Sequence, residues 1–177
     1  MEFLNSINYQ CQNFLFHIFT KNTSSLSDFT SSVRYRSGVA KFLPMKKIEH
    51  IGIAVANLEE SSKIYEKLFG TPSYKQEEVT SEGVKTAFFN SGPNKIELLE
   101  ATNPESPIAK FIAKKGEGIH HIAFDVDDIL AEIERLKGEG FIVLNEVPKK
   151  GADNKLVAFL HPKSTNGVLI ELCQEIR

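Results

Sequence analysis

Two histidines and two glutamates stand at matching places in this sequence. His50 opens the run His50-Ile51-Gly52-Ile53-Ala54-Val55, and His121 opens His121-Ile122-Ala123-Phe124-Asp125-Val126. Glu97 lies within Lys95-Ile96-Glu97-Leu98 and Glu171 within Leu169-Ile170-Glu171-Leu172, at nearly the same interval after each His. Successive side chains on a strand point to opposite faces. Each His therefore shares a face with small or polar residues (Gly52 and Ala54, or Ala123 and Asp125), while the bulky aliphatics face the other way. Each Glu likewise opposes the Ile and Leu that flank it. This parity brings the four side chains together on the concave, helix-free face of a curved sheet. Carboxylates sheltered from water are costly without a counter-charge, and two beside two imidazoles are best satisfied by a bound cation. The donor set His50, Glu97, His121 and Glu171 suits a divalent first-row metal, with two adjacent coordination positions left for a bidentate ligand.

A single strand His is more often a satisfied core or surface residue, and a single strand Glu is usually solvated. The coincidence at both ends of two units points instead to a shared ion. His120 falls on the opposite parity and reads as structural. Cys173 shares parity with Glu171 but lies beyond it, and reads as a buried free thiol rather than a ligand.

The elements that must position these residues recur in order. A strand over 48–55 leads to a helix capped by Asn57, ending at Phe69-Gly70, with Leu58, Tyr65, Leu68 and Phe69 as its apolar side. Strand patterns follow at 73–79, 84–90 and 95–100, the last two joined by the turn Ser91-Gly92-Pro93-Asn94. A connecting helix over 104–115 leads to a strand at 119–126 and to a helix capped by Asp127 or Asp128 that runs to Lys137. Further strands are expected near 141–145, 155–160 and 167–173. The fold class is α+β: two tandem βαβββ modules, 47–103 and 117–175, forming a curved mixed sheet around the metal site.

Composition narrows the function classes. The 177 residues carry 21 Lys or Arg against 23 Asp or Glu, so no basic field argues for nucleic acid. No run approaches 18 unbroken apolar residues, which argues against a membrane-spanning helix. The two cysteines, Cys11 and Cys173, make neither a disulfide framework nor a four-thiolate zinc site, which favours a reducing compartment. Residues 1–44 are rich in Ser, Thr and Asn and poor in acids, and show no sustained periodicity. They are expected to be mostly disordered, with the folded part starting at Met45-Lys46-Lys47 and spanning 45–177. The expected location is cytoplasmic, or the mitochondrial matrix if 1–44 is a transit peptide.

From Lys47 to Cys173 the chain resembles the vicinal oxygen chelate (glyoxalase) superfamily and, within it, the methylmalonyl-CoA epimerase family. The resemblance is carried by Ile48-Glu49-His50-Ile51-Gly52-Ile53-Ala54-Val55, by Lys95-Ile96-Glu97-Leu98-Leu99-Glu100, and by Gly118-Ile119-His120-His121-Ile122-Ala123. Most specific is His161-Pro162-Lys163-Ser164 followed by Gly167-Val168-Leu169-Ile170-Glu171-Leu172. It implies His50, Glu97, His121 and Glu171 as metal ligands, with cobalt first and Mn2+, Ni2+, Zn2+ or Mg2+ as alternatives. It also implies interconversion of (R)- and (S)-methylmalonyl-CoA through a metal-stabilised enolate, Glu171 as the base, an acyl-CoA partner and a homodimer. Lys150, Lys163 and Ser164 are candidate substrate-binding residues, alongside Lys149.

One departure stands out. Some relatives carry a second Glu after a Gly-Val pair, whereas here Gly83-Val84-Lys85 is followed by Thr86, which is no acid or base near neutral pH. Glu97, Glu82, a water or a rotating enolate remain as sources of the second proton transfer. The alternative reading is lactoylglutathione lyase, which would use the same ligand set. A sequestering module would be expected to lose the His and Glu pattern.

Overall fold

The computed structural model describes residues 45–177, so the expectations for 1–44, with His17 and Cys11, lie outside the described residues. Alternation of small and branched residues makes β1 (Ile48–Ala54), and Asn57 then turns the chain into α1 (Leu58–Phe69). The Asn57 side chain accepts the Glu60 N–H at 3.0 Å, and Gly70 ends the helix at φ +70°. β2 (Lys75–Val79), β3 (Val84–Ser91) and β4 (Asn94–Ala101) follow, with α2 (Pro107–Lys115) as the connection. The second half runs β5 (Gly118–Asp125), α3 (Ile129–Gly138), β6 (Lys149–Lys150), β7 (Lys155–Leu160) and β8 (Ile170–Glu175). Asp128 caps α3 by accepting the Ala131 N–H at 3.0 Å.

Among the described residues, eight strands form one mixed sheet in the order β2-β3-β4-β1-β5-β8-β7-β6. β1 pairs parallel with β4, β5 pairs parallel with β8, and β1 and β5 meet antiparallel at the centre. The second βαβββ unit thus repeats the first about an approximate two-fold axis between β1 and β5. The ends of the sheet approach each other: Lys75 Nζ lies 3.1 Å from Asp153 Oδ1, and Lys149 Nζ lies 2.9 Å from Glu82 Oε1. The result is a curled half-barrel.

Two of the helices, α1 and α3, each cover one half of the sheet. Leu58, Tyr65 and Phe69 of α1 pack on Val55, Ala87, Phe89 and Leu98, while Ile129, Ile133 and Leu136 of α3 pack on Ala158, Leu160 and Leu172. Burial of these aliphatic and aromatic groups is the main source of stability for the fold. Leu68, expected on the buried side of α1, is 69% exposed, because the buried stripe runs through 58, 62, 65 and 69 and position 68 is rotated out of it.

Three further expectations are corrected. The concave face is not free of helix: Ile108, Phe111 and Ile112 of α2 pack with Ala54, Val84 and Leu99 at one end of it. The strand expected over 141–145 does not form, and only Val143 makes an isolated bridge, to Leu160. There the Asn145 side chain takes the place of backbone pairing, accepting the Phe159 N–H at 2.9 Å and donating to the Val157 carbonyl at 3.3 Å. The last strand begins at Ile170 rather than at 167, because Asn166 (φ +53°) and Gly167 (φ +87°) continue the preceding turn in left-handed backbone.

Candidate metal centre

Register across the middle of the sheet builds the site in two rows. Glu97 of β4, Gly52 of β1 and His121 of β5 lie side by side, as do His50 of β1, Ala123 of β5 and Glu171 of β8. Each row places a His and a Glu on either side of a small residue, so the long side chains lean inward over the gap. All four are at most 5% exposed. A Cβ on Gly52 would lie only 2.2 Å from the His121 ring, so the close approach of this imidazole requires glycine.

The four candidate ligands converge as expected. His50 Nε2 is 2.9 Å from His121 Nε2 and 3.2 Å from Glu97 Oε2, and His121 Nε2 is 3.0 Å from Glu171 Oε2. The longer separations are 3.8 Å from His50 Nε2 to Glu171 Oε2 and 3.7 Å from His121 Nε2 to Glu97 Oε2. For ligand bonds of about 2.1 Å, adjacent donors on an octahedron lie about 3.0 Å apart. The short edges match that spacing, and the nitrogen and carboxylate donors suit a divalent ion.

The charge balance points the same way. Burial works to lower the His50 pKa, but Glu97, Glu49 and Glu171 outweigh it and raise the value to about 10. Without a metal, the three carboxylates favour a proton on this imidazole. Burial pushes the Glu171 carboxyl up, yet His121, His50 and the Cys173 thiol together hold it below its ordinary value. Cys173 is a free, buried thiol whose Sγ donates to Glu171 Oε1 at 3.1 Å. Burial and the Glu171 charge raise its own pKa well above normal, so it stays protonated.

Two residues beside the ligands escaped the parity reading. Ile48 pairs with Phe124 and His50 with Ala123, leaving Glu49 as an extra residue on β1. Gly52 pairs with His121 and Ile53 with Ile119, leaving His120 as an extra residue on β5. These β-bulges turn Glu49 and His120 toward the neighbouring candidate ligands His50 and His121. Glu49 Oε2 sits 2.5 Å from His50 Nδ1, and His120 Nδ1 sits 2.9 Å from His121 Nδ1. His120, expected to be merely structural, lines the cavity; burial and the neighbouring His121 lower its pKa to about 4, so the ring is neutral. The one signal in the sequence is positional, since both residues directly precede a candidate ligand His in the two halves.

Beside the cluster opens a cavity of about 300 Å3, walled by Val84, Ile108, Leu144, Val157 and Phe159 and reached by Glu171. Lys149 and Glu82 stand at it as an ion pair. The other candidate substrate-binding residues, Lys150, Lys163 and Ser164, are not part of its lining. Lys150 and Lys163 are exposed, and the Ser164 hydroxyl accepts the Ile142 N–H at 3.1 Å and donates to the His161 carbonyl at 2.9 Å. Thr86 is buried, and its hydroxyl finds no partner among the described residues.

A family model described as the glyoxalase/bleomycin resistance protein/dioxygenase superfamily matches residues 49–159. The chain belongs to this superfamily. Within the superfamily it is 39% identical over 152 residues to the mitochondrial methylmalonyl-CoA epimerase of Dictyostelium discoideum, covering 85% of this chain and 92% of that protein. It is 42% identical over 130 residues to the ethylmalonyl-CoA/methylmalonyl-CoA epimerase of Cereibacter sphaeroides, covering 72% and 97%. A solved structure of methylmalonyl-CoA epimerase with methylmalonyl-CoA and NH4+ superposes with a TM-score of 0.71 at 34% identity, covering 75% of this chain and 96% of that one. Similarity to a probable lactoylglutathione lyase of Vibrio cholerae is weaker, 30% over 129 residues, covering 72% and 90%. Superfamily membership and the buried donor set together support a divalent metal ion as cofactor.

Proposed function

We propose that this enzyme interconverts (R)- and (S)-methylmalonyl-CoA. The observation that carries the proposal is the position of Glu171: its carboxylate contacts His121 and also lines the cavity. His50, Glu97, His121 and Glu171 would hold the ion, Co2+ first and Mn2+, Ni2+, Zn2+ or Mg2+ as substitutes. When bound there, a divalent ion supplies Lewis-acid stabilisation of the negative charge that develops beside a thioester carbonyl. Glu171 removes the proton from C2 of the substrate on one face. Cys173 donates to one oxygen of that carboxylate and leaves the other facing His121 across the ion site, so the base is oriented before substrate arrives.

The apolar cavity wall excludes water from the reacting carbon and admits an acyl group. Lys149, Lys150 and Lys163 provide cations for the phosphates of the CoA portion, and Ser164 shapes the turn that carries Lys163. Glu82 is a second carboxylate lining the same cavity, paired there with Lys149 at 2.9 Å. A homodimer is the assembly we favour. We place the reaction in the cytoplasm, or in the mitochondrial matrix if 1–44 acts as a transit peptide.

The test compares two substrates on metal-reconstituted protein. Turnover of methylmalonyl-CoA is expected, with little on the hemithioacetal of methylglyoxal and glutathione; the reverse preference would select the lyase reading. Glu171→Gln is expected to slow exchange of the substrate α-hydrogen with deuterated solvent by at least about 100-fold, the usual range for a general base. Unchanged exchange would remove Glu171 from that role.

A further inference from the structure

The two ligand histidines are held differently. Behind His121 stands another imidazole, with His120 Nδ1 at 2.9 Å from His121 Nδ1. Behind His50 stands a chain of buried charges. Glu49, only 3% exposed, places Oε2 at 2.5 Å from His50 Nδ1 and Oε1 at 2.5 Å from Lys95 Nζ. Lys155 Nζ lies 3.6 Å from the same oxygen. Lys95 reaches Asp153 Oδ2 at 2.6 Å, and Asp153 Oδ1 takes Lys75 at 3.1 Å. The Asp153 backbone N–H donates to Glu77.

This chain does two things. A neutral imidazole carries one N–H, so a ring that offers Nε2 to a metal must keep its proton on Nδ1; a carboxylate at Nδ1 enforces that tautomer and fixes the ring plane. It also pins loop 151–154, in which Asp153 (φ +49°) and Asn154 (φ +57°) are consecutive left-handed residues without being glycine. Gly151 and Ala152 of that loop line the cavity. Glu49, His50 and Cys173 also bring ligand atoms within 4.8 Å of one another. Lys95 and Lys155 already supply the positive charge there, so Glu49 is not a ligand of a second ion.

We propose that Glu49 is a positioning residue for the metal centre, holding His50 with its proton on Nδ1, and that Lys95 and Asp153 join this hold to the cavity-lining loop. The inference rests on the metal-centre reading above, and the experiment separates the two. Full-length protein with 15N-labelled histidine is stripped with chelator. Co2+ affinity is then measured by chelator competition, and the His50 Nδ1–H resonance is followed in the Zn2+-loaded form.

Wild type is expected to bind one ion per chain and to show a strongly downfield Nδ1–H. Glu49→Gln should bind Co2+ about 10- to 100-fold more weakly, as outer-shell losses typically do, and move that resonance upfield. Lys95→Met, which leaves Glu49 in place, should show a smaller shift and loss in the same direction. Glu105→Gln, at an exposed carboxylate, should match wild type. Wild-type affinity and an unmoved resonance in Glu49→Gln, or in Lys95→Met if Glu49→Gln does not fold, would overturn the proposal while leaving the metal centre standing. Failure of wild type to bind any ion would remove the centre and the proposal together.

Discussion

Gly52 shows how closely the centre depends on single atoms. It lies between Glu97 and His121 in one row, whereas Ala123 occupies the matching place between His50 and Glu171. The alanine is tolerated in its row, but at Gly52 a methyl group would meet the His121 ring at 2.2 Å. Gly52→Ala is therefore expected to push His121 aside and weaken Co2+ binding at least about tenfold, equivalent to about 1.4 kcal/mol. Chelator competition measures this directly, and wild-type affinity in Gly52→Ala would show that the ring has room to spare. At this scale His50, Glu97, His121 and Glu171 were legible because strand parity and the repeat agree. Glu49 and His120 were not, because each is the extra residue of a bulge, where alternation fails and sequence alone does not mark the fault.

Among the elements, the regular ones were the readable ones. Caps at Asn57 and Asp128 and stops at Gly70 and Gly116 announce helices through side-chain chemistry local to the sequence. The segment at 141–145 is a short apolar run of the kind that forms strands, yet Asn145 uses its amide to replace the ladder, a tertiary choice that local pattern does not reveal. Packing of α2 over the concave face was hidden for the same reason, since its partners Ala54, Val84 and Leu99 are distant in sequence. Loop 151–154 is the element whose stability should report on pH. Burial pushes the Asp153 carboxyl up, but the Lys95 and Lys75 ammonium groups outweigh it and hold its pKa below normal. A depressed folded-state pKa stabilises above the ordinary value near 3.8 and is lost as pH falls through the folded one. Asp153→Asn keeps a residue that tolerates left-handed backbone. Its cost, about 1 kcal/mol given the group's partial exposure, should be full near pH 6–7 and shrink below about pH 4. Urea unfolding across that range measures it, and a gap that persists or widens in acid would contradict the assignment.

At the scale of the whole molecule, duplication explains how the four candidate ligands come together. A βαβββ unit by itself supplies one His and one Glu from neighbouring parallel strands, too few donors for a secure ion. Antiparallel pairing of β1 with β5 sets two such units back to back, and His50 then faces His121 at 2.9 Å across the join. The same pairing curls the sheet until its edges meet through Lys75, Asp153, Lys149 and Glu82, which closes the cavity beside Glu171. The claim that both halves serve a single ion is open to direct measurement. Chelator-stripped protein is titrated with Co2+ while the rate of methylmalonyl-CoA epimerisation is followed. The rate is expected to start near zero, rise linearly and break at one equivalent per chain. Full activity in the stripped protein, or a rise with no break at one equivalent, would contradict it.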